Sequence, residues 1–251
     1  MKLLSLVYAL LIVALSTAAA AAAEITVFAA ASLSDALKEV APLYTKATGN
    51  TLRFNFGASG ALARQIKEGA PADLFFSADE LRLDQLEKAG LLLGGTRRML
   101  LANTLVVVVA AEDGVPVKTL ADLAKTDVRR IAIGEPATVP IGTYTKEYLQ
   151  KTGDWRNLVD KMVPLDTVRG ALAAVESGNA EAGFVYKTDA LGSKKVKIAL
   201  EVPLAEGPQI IYPVAVLKES KQSDAAKALI EFLAGTEAQK VFAKSGFLTP
   251  N

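Results

Sequence analysis

Four short stretches place small or hydroxyl-bearing residues where a strand pattern gives way to a helix pattern. They are Ala31-Ser32, Ala58-Ser59-Gly60, Pro140-Ile141-Gly142 and Asp166-Thr167-Val168. The first turn of an α-helix leaves backbone N–H groups without intrahelical acceptors, and the helix dipole places about half a positive charge there. Such a turn attracts anions without help from lysine or arginine. An open α/β sheet gathers these turns at the carboxyl ends of its strands, where ligands bind. The chemistry on offer is neutral hydrogen-bond donation to an anion.

Each stretch also has a plainer reading. Ser32 with Asp35 three residues on resembles a capping box. Ser59, in Gly57-Ala58-Ser59-Gly60, has the outline of a phosphate loop or a nucleophile elbow. No Gly-Lys-Ser/Thr follows, and the chain contains no histidine to activate the hydroxyl. Ile141 and Val168 are packing residues by type, with only a backbone N–H to offer. Tyr186 ends an apolar strand pattern, as does many a core tyrosine whose hydroxyl reaches the surface. Asp73 reads as a turn into a strand, with no ligand role. Arg64 and Arg169 lie within helix patterns and read as surface salt-bridge partners.

The elements that must position these residues alternate along the chain. Strand patterns at Ile25–Ala29, Leu52–Phe56 and Leu74–Ser77 each precede a helix pattern, at Leu33–Thr45, Ala61–Glu68 and Asp79–Ala89. This order predicts a parallel sheet covered by helices. Thr104–Ala111 is nearly all valine, as in a strand buried on both faces. The alternation then resumes with strands at Ile131–Gly134, Met162–Leu165 and Ala182–Tyr186 and helices at Thr143–Lys151 and Arg169–Ser177. Gln209–Leu217 is again extended, and helices follow at Ser223–Ala234 and Thr236–Ser245. Two βα units joined by two extended segments predict an α/β protein of two lobes, each a mainly parallel sheet flanked by helices, joined by two crossover strands. Residues 24–104 plus 215–251 form the first lobe in this reading, and 105–214 the second.

Composition narrows the function. Met1-Lys2, the apolar run Leu3–Leu15 and an alanine tract ending at Ala23 form a signal-peptide pattern over residues 1–23, with export to the periplasm expected. A membrane anchor is the alternative for this stretch, since its length approaches that of a bilayer span. The chain has no cysteine, so disulfides and a cysteine-linked lipid anchor are not expected. Without histidine, triad hydrolases and common zinc sites lose their usual residue. Removing residues 1–23 takes away Lys2 and leaves 27 basic against 27 acidic residues. That balance gives no electrostatic footprint for nucleic acid. An enzyme would need a nucleophile or base with a tuned pKa, and neither histidine nor cysteine supplies one.

Taken in order, the segments Val27–Leu33, Phe56–Ile66, Gly69–Phe75, Gly134–Pro136, Val139–Tyr144, Val168–Leu172, Gly183–Tyr186, Thr188–Ala190 and Tyr212–Val216 resemble the periplasmic molybdate-binding proteins of ABC transporters. The resemblance covers the chain from Glu24 onward. It implies a periplasmic-binding-protein fold that captures molybdate or tungstate, without enzymatic activity or cofactor, and delivers it to a membrane permease as a monomer. Carried over position by position, Ser32 and Ser59 donate a hydroxyl and a backbone N–H to the oxyanion. Ile141 and Val168 donate a backbone N–H, and Tyr186 its hydroxyl. The molybdenum is held only as its oxyanion, with no side chain coordinating the metal. Ile141 departs from the alanine common in the family, which bears on pocket shape. The alternative on the same scaffold is a receptor for sulfate or phosphate.

Overall fold

The computed structural model describes residues 22–250; the expected signal peptide lies outside them, Ala22 and Ala23 excepted. β1 (Glu24–Ala30) is the centre of a parallel trio, flanked by β2 (Thr51–Gly57) and β3 (Leu74–Phe76). α1 (Ser34–Thr48) and α2 (Ser59–Lys67) make the crossovers, and α3 (Glu80–Lys88) follows β3. α1 stops at Gly49, whose φ of 78° is costly for residues with a Cβ and whose N–H bonds the Thr45 carbonyl.

β4 (Arg98–Asn103) runs along the edge of this sheet, and the chain then leaves it through Thr104. β5 (Leu105–Ala110) carries the valine run and is buried on both faces, as its composition predicts. β6 (Ile131–Gly134) leads to α4 (Pro140–Thr152), the short α5 (Trp155–Leu158) and β7 (Met162–Leu165). α6 (Val168–Glu176), β8 (Ala182–Tyr186), α7 (Lys187–Leu191) and β9 (Val196–Glu201) complete the second sheet, ordered β7-β6-β8-β5-β9. The chain then returns as β10 (Ile210–Val216) to the first sheet, ordered β2-β1-β3-β10-β4, and ends with α8 (Ser223–Ala234) and α9 (Thr236–Lys244).

The sequence pattern predicts mainly parallel sheets, whereas each sheet is mixed. β10 is antiparallel to β3 and β4, and β5 is antiparallel to β8 and β9. The physical reason is the double crossover: a strand arriving from the other sheet enters at the far end and runs the opposite way. β4 and β9 are absent from the sequence reading because charged and partly exposed residues interrupt their apolar alternation. β10 pairs with the first sheet over its full length, Ile210–Val216, so the expected division between residues 214 and 215 falls inside a strand.

α6 packs on β6 and β8, α4 on β6, α8 on β10 and α1 on α9. Phe28, Leu62, Phe75, Leu83 and Leu86 form a separate cluster beneath α2 and α3. Truncating a fully buried phenylalanine such as Phe75 to alanine costs about 3–5 kcal/mol. The helices that carry Ser59 and Val168 are thereby clamped to rigid sheets.

Candidate binding site

The carboxyl ends of β1, β2 and β6, β7 open onto the space between the two sheets, and four helix N-termini converge there. Ser32, Ser59, Ile141, Val168 and Tyr186 all line one cavity, and among the described residues no charged side chain joins them. The cavity holds about 210 Å³ of empty space, partly open to solvent. Only a compact guest of a few heavy atoms suits so narrow a space.

Ser32 lies in a single 3₁₀ turn (Ala31–Leu33) ahead of α1 and makes no side-chain capping bond. Its Oγ is 3.0 Å from Tyr212 Oη instead, and Asp35 pairs with Arg169. The capping-box reading of Ser32 and Asp35 is therefore not realised. Ser59 is the first residue of α2, which begins two residues before the expected Ala61. Its Oγ accepts the Ala78 N–H at 3.0 Å. A backbone N–H can only donate, so the Ser59 hydroxyl proton is free to point into the cavity.

α4 starts at Pro140 rather than at Thr143, because proline's fixed φ and missing N–H suit a first helical position. Ile141 thus belongs to the first turn, where backbone N–H groups lack helical acceptors. Its larger side chain finds room at Gly134, where a Cβ would lie 2.7 Å from Ile141 Cγ2 and 2.6 Å from Val139 Cγ1. Val168 opens α6, and Thr167 caps that helix by accepting the Gly170 N–H at 3.0 Å.

Tyr186 is 1% exposed, and its buried Oη has no hydrogen-bond partner among the described residues. The reading of a core tyrosine with its hydroxyl at the surface does not hold. Burial pushes its ionisation well above the usual tyrosine range, so the hydroxyl keeps its proton. An unpaired buried donor costs about 1–3 kcal/mol. Facing the cavity, it is a donor awaiting an acceptor.

Contacts on both flanks hold the halves of the site together. Gly60 donates its N–H to the Thr138 carbonyl at 3.1 Å. Arg82, buried with Asp79 at 3.0 Å, donates from Nη2 to the Ala137 carbonyl at 2.8 Å. On the other flank Arg169 meets Asp35 at 2.7 Å and Asp189 at 2.8 Å. The Arg169–Asp189 contact is close in distance but not aligned as a hydrogen bond. Asp189 is fully buried, so Arg169 is more than the surface salt-bridge partner its sequence position implies. Burial raises the Asp189 carboxyl to about 7, while Arg169 pulls it down. Arg64 is exposed on α2. Asp73 accepts the Thr26 N–H at 2.8 Å and the Ser220 hydroxyl at 2.7 Å, which ties β3 to its neighbours.

Sequence reasoning passes over Arg82, Asn103 and Tyr212. Asp79 followed by Arg82 at helical spacing is the one local signal that could have drawn attention to a buried pair.

The model of the bacterial extracellular solute-binding protein family matches residues 25–248. The chain is 42% identical over 230 residues to the molybdate-binding protein ModA of Escherichia coli, covering 89% of this chain and 88% of that protein. It is 37% identical over 253 residues to the molybdate-binding protein ModA of Haemophilus influenzae, covering 98% of each. The structure of the periplasmic molybdate-binding protein of Azotobacter vinelandii superposes with a TM-score of 0.82 at 26% identity, over 90% of this chain and all of that one. Strand order, converging helix N-termini and family match agree, and the chain belongs to the bacterial extracellular solute-binding proteins.

Proposed function

We propose that this protein captures molybdate, and the nearly isosteric tungstate, in the periplasm and delivers it to an ABC permease. The observation that carries this reading is the convergence of Ser32, Ser59, Ile141, Val168 and Tyr186 on one narrow cavity to which, among the described residues, no charged side chain contributes. Hydroxyls and first-turn N–H groups donate to every oxygen of a tetrahedral dianion, and the helix dipoles compensate its charge. The molybdenum stays inside its oxyanion, and no side chain replaces an oxygen. Similarity to the ModA proteins of Escherichia coli and Haemophilus influenzae supports the choice of ion.

The two sheets act as two lobes that close on the guest, flexing at Thr104 and at residues 202–209. Thr104 is the single residue between β4 and β5, so a small rotation there moves one sheet against the other. In this reading the loaded protein works as a monomer, with one chain supplying all the donors. The family's extracellular setting and the pattern over residues 1–23 support export.

Selection among anions follows from size and protonation. Sulfate is smaller and leaves buried donors unpaired, at about 1–3 kcal/mol each. Hydrogen phosphate carries a proton that needs an acceptor, and among the described residues no carboxylate lines the cavity. Calorimetric titration with molybdate, tungstate, sulfate and phosphate tests this. Molybdate and tungstate are expected to bind at least about a hundredfold tighter than sulfate, the equivalent of two unpaired donors. Equal affinity for sulfate contradicts the reading.

A further inference from the structure

Behind Ser32 lies a buried chain of hydrogen bonds whose direction is fixed by its far end. Thr104 donates its backbone N–H to Asn103 Oδ1 at 2.9 Å. A backbone N–H cannot accept, so this bond identifies the amide oxygen and leaves Asn103 Nδ2 on the other side. That nitrogen, a donor only, lies 2.9 Å from Thr188 Oγ1 and 3.3 Å from Tyr212 Oη. Tyr212 is fully buried, and among the described residues its hydroxyl has two hydrogen-bond neighbours, Asn103 Nδ2 and Ser32 Oγ.

Two arrangements of the Tyr212–Ser32 bond are conceivable. If Ser32 donated to Tyr212, the tyrosine oxygen would receive two protons and its own would be buried without an acceptor. Such a stranded buried donor disfavours that arrangement. If Tyr212 donates to Ser32, the Tyr212 proton and both Asn103 Nδ2 protons have acceptors, and the Ser32 proton is left for the cavity that Ser32 lines.

We propose that Tyr212, oriented by Asn103, is a positioning residue that makes Ser32 Oγ an obligatory donor to the guest oxyanion. The inference rests on the oxyanion reading of the cavity for its functional sense, while the direction of the bond stands on geometry alone. Ser59, fed by the Ala78 N–H, is held in the same state. Both serine protons are then left for the guest, which favours oxyanions whose oxygens all accept. Asn103 closes β4 next to the crossover residue Thr104 and also bonds Thr188 in α7's first turn. The donor state of Ser32 is thereby tied to the conformation of the crossover between the sheets.

Two measurements test this. Neutron diffraction from the perdeuterated protein needs no guest: the deuteron between Tyr212 and Ser32 is expected on Tyr212 Oη, and a deuteron on Ser32 Oγ overturns the proposal. Molybdate titration of Tyr212→Phe, Ser32→Ala, Ser59→Ala and the double variants with Tyr212→Phe forms the second arm. Tyr212→Phe is expected to weaken binding about three- to tenfold in the wild-type and Ser59→Ala backgrounds, and less than about twofold with Ser32→Ala. The same loss in all backgrounds, or none in the wild type, overturns it. A wild-type protein that does not bind molybdate sinks the oxyanion reading instead, and the neutron result still decides the direction of the bond.

Discussion

Arg169 Nη2 lies 2.7 Å from Asp35 Oδ2 and joins α6, beside the second sheet, to α1, beside the first. Arg169 belongs to the helix whose first residue, Val168, lines the cavity, so the ion pair holds the two helices together beside it. The pair is partly exposed, at 31% for Arg169 and 64% for Asp35, so solvent screens it. Asp35→Asn is expected to weaken molybdate binding modestly, about two- to fivefold at low salt, and less as ionic strength rises. Titration at two salt concentrations checks this; a loss that grows with salt argues against an electrostatic latch.

Asp189, behind the same arginine, gives a pH dependence of definite sign. Its carboxyl is raised from 3.8 to about 7 in the folded protein, chiefly by burial. Between these values the folded state holds a proton that the unfolded chain has released, so stability falls as pH rises through this window. Asp189→Asn is expected to flatten the fall. Urea melts of the ligand-free protein from about pH 5 to pH 7.5 measure the slope, and an unchanged slope in the variant assigns the effect to another group.

At Gly60 the backbones of the two halves touch. A Cβ there would lie 2.3 Å from the Thr138 carbonyl oxygen, which the Gly60 N–H already approaches. Alanine is a better helix residue than glycine, so Gly60→Ala has no reason to unfold α2. It should instead hold the cleft ajar and weaken molybdate binding by about 1–3 kcal/mol, roughly tenfold to a hundredfold. Wild-type affinity in this variant would mean that the guest does not require the close approach.

Ser59→Ala and Tyr186→Phe each delete one hydroxyl donor with little change in volume. Each is expected to lower molybdate affinity by about 1–3 kcal/mol, because a hydrogen bond to a charged guest is lost. Calorimetry on both variants is the check, and normal binding by both removes these residues from the site.

Local pattern made much of the fold legible. The valine run of β5 and the β1-α1-β2-α2-β3 alternation read directly from apolar spacing. Pro140 and the Gly57–Gly60 stretch marked helix starts to within three residues. β4 and β9 were hidden because edge strands carry charge and lose their alternation. The cavity-facing turns were visible as turns, but their convergence was carried by family resemblance, since nothing local in Val168 or Ile141 marks a cavity-lining residue. The supporting contacts were out of reach for a different reason: Ser32 and Tyr212 are 180 positions apart, and Arg169 and Asp35 are 134 apart. Only the assembled sheets bring such pairs together.

X-ray absorption at the molybdenum edge of the loaded protein reads how the metal is held. An intact tetrahedral oxyanion cradled by hydrogen bonds is expected to show four oxygen neighbours and no further inner-shell atom, as free molybdate does in solution. An expanded shell containing a protein oxygen or nitrogen would mean that the chain coordinates the metal itself, and the account would be wrong.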